Sequence, residues 1–165
     1  MFTLTVQGWS LDKDLQIIQA DVHMSADGSV LVEEPLCVDV GLPALLYSTL
    51  QDTLPDRFAP ADAWERMPFF VCGCGDPECR GFSFVVTHKS PEEIELQLVE
   101  ERGGGGYREL ETHIVSWAAY ARQIGEIAET YLAFVANLDY RPYYKETVKV
   151  VQDLLVQLRH KLQGE

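Results

Sequence analysis

Residues 71–84, VCGCGDPECRGFSF, constrain the fold more than any other stretch, because they place three of the chain's four cysteines within eight positions. Cys72, Cys74 and Cys79 form a C-x-C-x4-C pattern with a glycine after each of the first two. Thiolates bind zinc at about 2.3 Å in a tetrahedral arrangement. Ligands this close in sequence converge only where the backbone turns back on itself, and glycine permits such turns. The spacing therefore predicts a zinc site at the tip of a hairpin.

The fourth zinc ligand must come from another part of the chain. Cys37 is the first choice, because zinc prefers thiolate ligands and this is the only remaining cysteine. His88 and His113 are the alternatives, and His88 lies at the far end of the following strand, where it is less well placed. The predicted ligands of this structural zinc are thus Cys72, Cys74, Cys79 and Cys37.

Two other interpretations of the cysteine cluster stay open. Cys72 and Cys79 could form a disulfide, although the C-x-x-C that opens a helix in thioredoxin-type proteins is absent. A catalytic thiol or an open zinc site would need a nearby base such as His88 or His113. No residue pattern predicts a Ser-His-Asp hydrolase, and the four consecutive glycines at 103–106 lack the Lys-Ser/Thr ending of a phosphate-binding loop. The sequence names no catalytic residue.

Alternating apolar residues predict antiparallel strands in the first half of the chain. Phe2, Leu4 and Val6 alternate with polar residues, and Asp27-Gly28 supplies the positive φ of a tight turn between two β-rich runs. Two further apolar runs flank the cysteines, and residues 93–101, EIELQLVEE, alternate cleanly. A short helix, LPALLYSTLQ, carries Pro43 in its first turn.

Two amphipathic helices are predicted in the last third. Ser116 caps the first, whose apolar side chains recur at helical spacing: Trp117, Tyr120, Ala121, Ile124, Ala128, Tyr131, Leu132 and Val135. The second has Pro142 in its first turn and an apolar seam at alternating spacings of four and three: Tyr144, Val148, Val151, Leu155, Leu158 and Leu162. This seam indicates either a helical hairpin packed on its own sheet or a homodimer formed through the terminal helix.

The patterns together predict an α+β fold, in which an antiparallel β-meander and a short helix precede two C-terminal helices packed as a hairpin. The chain forms one domain, 1–165, with residues 1–100 mainly β and residues 107–163 mainly α. The zinc-type hairpin lies at 70–85, and the glycine run forms a mobile hairpin loop.

The cysteine stretch resembles the zinc-binding segment that follows the catalytic domain of SET-domain lysine methyltransferases. The matching residues are Cys72, Cys74, Gly75, Cys79, Arg80 and Gly81. The resemblance implies three zinc ligands completed by a distant cysteine. It does not imply methyl transfer, because the chain has no Asn-His-Ser cofactor-binding motif and a length that does not suit a SET domain.

A broader resemblance covers residues 42–135. The chain is similar to uncharacterised small bacterial proteins, common in actinobacteria, that carry a Leu-Pro-led helix, a C-x-C-G-x-x-x-C strand end and a Tyr-containing helix. Leu42, Pro43, the three cysteines and Tyr120 match this pattern, whereas Arg80 stands where an aromatic residue is frequent. The resemblance implies an architecture and names no activity.

Charge limits the partners. The formal net charge is −13, with 26 acidic and 13 basic residues, so no nucleic acid is expected as a partner. The sequence has no leader pattern and no run of about 20 apolar residues that would span a membrane. We therefore expect a cytoplasmic protein with a basic protein partner. The leading hypothesis is a non-enzymatic, zinc-stabilised binding protein, such as an acidic immunity or inhibitor protein; the alternatives are a small metal- or thiol-dependent enzyme and a redox-sensing regulator.

Overall fold

A computed structural model describes residues 1–164, and within them seven strands form one antiparallel sheet in the order of the sequence. The strands are β1 (Phe2–Asp12), β2 (Ile17–Ala26), β3 (Ser29–Cys37), β4 (Phe70–Val71), β5 (Gly81–His88), β6 (Glu93–Glu101) and β7 (Tyr107–Ser116). The helices are α1 (Leu42–Tyr47), α2 (Trp117–Val135) and α3 (Thr147–Gln163), with a 3-10 turn at Trp64–Arg66. This arrangement confirms the predicted α+β meander with two packed C-terminal helices.

The turn between β2 and β3 forms as the sequence predicts. Asp27 and Gly28 have φ angles of 52° and 81°, so both central residues are left-handed. That geometry matches the right-handed twist of the two strands it joins. It sets the register in which Ala26 lies opposite Ser29.

The predicted cap of α2 is also present. The Ser116 hydroxyl accepts a hydrogen bond from the Ala119 backbone N–H at 3.3 Å. Trp117, Tyr120 and Tyr131 are fully buried on the apolar face of this helix. The Trp117 indole donates to the Thr49 carbonyl at 2.8 Å, which ties the start of α2 to the segment after α1.

The sequence places the start of the last helix too early. Pro142 does not open α3, which begins at Thr147. Two long-range contacts hold the preceding residues out of a helix: the Arg141 N–H donates to the Gln16 side chain at 2.7 Å, and the Tyr140 hydroxyl donates to Asp39. Tertiary contacts outweigh the preference of proline for a first helical turn at this point.

Residues 107–116 form a strand, so the helical part of the chain begins only at Trp117. β7 pairs with β6, and the glycine loop at 103–106 connects the two strands. At the base of this loop, the Arg102 N–H donates to the Gly106 carbonyl at 2.8 Å. The loop therefore closes a β-hairpin, as the sequence predicts.

The apolar seam of α3 packs within the chain. Val151, Leu155 and Leu158 are buried, and the side chains of Leu155 and Leu158 approach Gly125 of α2. Pairing of the terminal helix with a second copy stays a prediction. No helix in residues 1–164 combines the length and the apolar character that crossing a membrane requires.

The first strand of the sheet has a covered edge. Gln123 of α2 accepts a hydrogen bond from the Leu4 N–H at 2.7 Å and donates to the Phe2 carbonyl at 2.9 Å. Its side-chain amide thus occupies the place of a neighbouring strand. Such cover protects an edge from pairing with another chain.

Candidate metal centre

The cysteine loop connects two strands in the middle of the sheet. Phe70 and Val71 of β4 pair with Phe82 and Gly81 of β5. The Cys72 N–H then donates to the Arg80 carbonyl at 2.8 Å and closes the base of the loop. The nine residues from 72 to 80 therefore leave the sheet and return to it at neighbouring positions, as the predicted hairpin requires.

Two turns inside the loop bring the three cysteines together. The Gly75 N–H donates to the Cys72 carbonyl at 2.8 Å, and the Cys79 N–H donates to the Asp76 carbonyl at 3.1 Å. The Asp76 side chain accepts a further bond from the Glu78 N–H at 2.9 Å. As a result, the sulfur atoms of the three cysteines lie within 4.8 Å of one another.

The loop is fixed against β2. Gly75 has φ +81°, and a Cβ added there would lie 2.6 Å from Ile17 Cγ2. The Gln19 side chain donates to the Gly73 carbonyl at 2.6 Å. Only glycine fits at position 75, because the backbone there is left-handed and Ile17 of β2 lies against it. The contacts with Ile17 and Gln19 of β2 therefore fix the conformation of the cysteine loop.

The thiols differ in their acidity. Cys72 is half-buried, and hydrogen bonds from the Cys74 backbone N–H and thiol, followed by the nearby Arg80 charge, lower the pKa of Cys72. Hydrogen bonding to Cys72 and Cys74 and their negative charge raise the pKa of Cys79 to about 11. The Cys72 thiolate therefore forms at lower pH than the Cys79 thiolate. A bound cation would favour deprotonation of the others, since metal ligation requires thiolates.

Arg80 connects the cluster to the strand beside it. Its guanidinium forms an ion pair with Glu34 of β3 and lies 4.9 Å above the Phe82 ring. These contacts hold the positive charge near Cys72, where it stabilises a thiolate. Cys74 and Cys79 are exposed, so their sulfur atoms are open to a metal ion from solvent.

Cys37 is not part of this group of three. It lies in β3 opposite Val71, is fully buried, and its thiol donates to the Asp39 carboxylate at 3.0 Å. Burial, followed by the Asp39 charge, raises the pKa of Cys37. Its role as fourth ligand stays a prediction, and it would require this thiol to leave Asp39 and turn towards the loop.

The two histidines also lie in other environments. His88 Nε2 is 2.8 Å from the Ser48 carbonyl oxygen. His113 contacts Asp27 at 3.2 Å and Glu111 at 2.9 Å. Within residues 1–164, the grouped metal-ligating side chains are the three loop cysteines alone. A tetrahedral ion on these thiolates therefore has a fourth position for a ligand from outside the group.

A buried polar network that the sequence did not predict lies next to Cys37. Asp39 is almost completely buried and accepts hydrogen bonds from Cys37 and Tyr140, whose hydroxyl lies 3.0 Å from that of Tyr131. Burial raises the pKa of Asp39. The only sequence signal was one aspartate inside the apolar run LCVDVG. The network joins the end of β3 to α2 and to the connection before α3.

No protein-family model, curated protein or solved structure matches this chain.

Proposed function

We propose that the chain is a non-enzymatic binding protein whose cysteine loop holds a structural zinc ion and whose acidic surface binds a basic protein partner. The convergence of Cys72, Cys74 and Cys79 within 4.8 Å carries the metal part of this proposal. Three thiolates suit zinc among the divalent ions, since sulfur ligands are poor partners for magnesium and calcium.

Zinc would stabilise the protein through the position of the loop. The cysteines connect β4 to β5, and the loop also touches Ile17 and Gln19 of β2. An ion held by the three thiolates would keep the loop in the conformation that these contacts need. Metal binding to a site that forms only in the folded chain adds to folding stability, by about 2.7 kcal/mol when free metal is 100 times the Kd.

Charge supports the binding role. The hairpin of β6 and β7, residues 93–116, carries six glutamates and two arginines, which makes it acidic. Glu93 and Glu109 lie on this hairpin and form no ion pair with any cation in residues 1–164. A basic partner would be attracted to this surface and would associate faster at low salt. An immunity or inhibitor protein that covers a basic enzyme would have this electrostatic character.

The zinc proposal is tested by chelation of purified, untagged protein. We expect a chelator to lower the Tm of the wild-type chain and to leave the Tm of a Cys74→Ser variant unchanged. Cys37→Ala tests the fourth ligand: it loses stability through its core position, and it keeps one zinc per chain only if the loop thiolates suffice without Cys37. Loss of zinc from Cys37→Ala would show that Cys37 is a ligand after all. An unchanged wild-type Tm would refute a structural metal.

A redox-sensing regulator is the second candidate, favoured by the exposure of Cys74 and Cys79 and by the lowered pKa of Cys72. Thiolates that reach solvent are the ones that oxidise first. Mild peroxide would then form a disulfide in the loop and release zinc, which a zinc-sensitive dye detects. Zinc retention with all thiols still free would contradict this role.

A further inference from the structure

The two edges of the sheet are treated differently. α2 covers β1 through Gln123, as described above. β7 is the opposite edge and spans ten residues, Tyr107–Ser116. Within the described chain, 1–164, its backbone forms hydrogen bonds towards β6 alone. A long strand with a free edge is a template for another strand.

The direction of each amide on β7 follows from the ladder. The Trp117 N–H donates to the Glu92 carbonyl at 2.8 Å, which makes this pair a hydrogen-bonded one. Because hydrogen-bonded pairs alternate along an antiparallel ladder, Val115 and His113 point their N–H groups towards β6. Ile114 and Thr112 then point their N–H and C=O groups away from the sheet, towards solvent.

The side chains of β7 are those of a contact surface. Tyr107, Leu110 and Ile114 are 45%, 49% and 45% exposed, and they lie along one strand. Exposed apolar side chains on an edge strand provide contact area for the side chains of a strand that pairs with it. Glu109 adds a negative charge between them.

We propose that β7 is a docking edge on which an extended basic segment of a partner protein adds an eighth strand to the sheet. This inference rests on the proposed function, because it assigns the basic partner to one surface. Backbone bonds to Thr112 and Ile114 would supply affinity, and a lysine or arginine side chain opposite Glu109 would supply selectivity. Glu93 lies one strand further in, on β6, and adds to the attraction at longer range. A second copy is a poor occupant, because pairing two β7 strands would bring together two hairpins with six glutamates each.

The edge is tested with a defined probe, the heptapeptide Ac-KTKVKTK-NH2, and with Ac-ETEVETE-NH2 as its charge-reversed control. Binding is followed by nuclear magnetic resonance of the full chain at low salt. We expect the basic peptide to slow amide hydrogen exchange at Thr112 and Ile114. Exchange at His113 and Val115 should change little, because these amides already bond to β6. The acidic peptide should have no effect.

Thr112→Pro removes one outward N–H while the ladder to β6 keeps its bonds, and proline is tolerated at such edge positions. Thr112→Val is the matched variant that retains the N–H. We expect Thr112→Pro to weaken binding of the basic peptide by about tenfold or more, and Thr112→Val to weaken it by less than about twofold. Ile114→Pro repeats the test at a second outward amide if Thr112→Pro does not fold.

Each remaining outcome contradicts a defined part of the proposal. Equal binding of the basic peptide to Thr112→Pro and Thr112→Val would refute strand addition but would not contradict the proposed basic partner. Equal binding of both peptides would refute the charge preference. Binding of neither peptide would refute the docking edge and the basic partner together. A wild-type dimer that Thr112→Pro makes monomeric would assign the edge to a second copy.

Discussion

Gly75→Ala measures how tightly the cysteine loop is fitted against β2. The left-handed backbone costs a non-glycine residue about 1–2 kcal/mol. The new Cβ would lie 2.6 Å from Ile17 Cγ2, and forcing a methyl group into such a packed site costs about 1–3 kcal/mol more. We therefore expect metal-free Gly75→Ala to lose about 2–5 kcal/mol of unfolding free energy.

Gly28→Ala is the matched control for the backbone cost. Gly28 has the same φ of +81°, but nothing lies within 4 Å of a Cβ added there. Its loss should be limited to about 1–2 kcal/mol. Urea unfolding of both variants in chelator, with equal m-values, isolates the clash as the difference between them. The reasoning would be refuted if the two variants lost the same free energy.

A double-mutant cycle tests the identity of the contact. Ile17→Ala removes the atom that the new methyl group would meet, at the cost of a buried side chain. Combined with Gly75→Ala, it should lose less stability than the sum of the two single variants, by about 1 kcal/mol or more. Additive losses would show that Gly75 is not held by Ile17.

Two further predictions concern the buried polar contacts. Burial raises the pKa of the Asp39 carboxyl above its ordinary 3.8, so the folded chain binds the carboxyl proton more tightly than the unfolded chain. Asp39 therefore makes the stability of the fold decrease as the pH rises from 3.8 through the folded pKa. Asp39→Asn should therefore show a weaker fall with pH in urea unfolding, and an unchanged pH dependence would contradict the prediction. Gln123→Ala should lose about 1–3 kcal/mol, because it leaves the Leu4 N–H and Phe2 carbonyl without partners. The control is Gln7→Ala, which changes an exposed glutamine of β1. Thermal unfolding of Gln123→Ala that matches this control would count against the role of Gln123.

The local patterns of the sequence predicted most of the fold. The positive φ angles at Asp27 and Gly28, the Ser116 cap and the strand alternation each depend on neighbouring residues, so the sequence contains the required signal. The start of α3 has no such local signal, because it is set by the contacts of Tyr140 and Arg141 with residues more than 100 positions away. Long-range contacts of this kind leave no periodic pattern.

The candidate metal centre was likewise predicted only where its residues are close in sequence. The three loop cysteines are close in sequence, and the glycines between them indicated the turn that brings them together. The direction of the Cys37 side chain depends on β3 and on Asp39, so counting cysteines could not establish whether it faces the loop. The Gln123 cover on β1 was missed because a glutamine on a predicted helix has no signal that names its strand.

The most direct test is zinc content together with free-thiol count on untagged protein purified from reducing conditions. The account predicts about one zinc per chain in the wild type and none in Cys72→Ser, Cys74→Ser and Cys79→Ser. Once the ion is removed and the chain is unfolded in denaturant, all four thiols should react, including the buried Cys37. A metal-free wild type with four reactive thiols, or with a disulfide in the loop, would contradict the structural zinc.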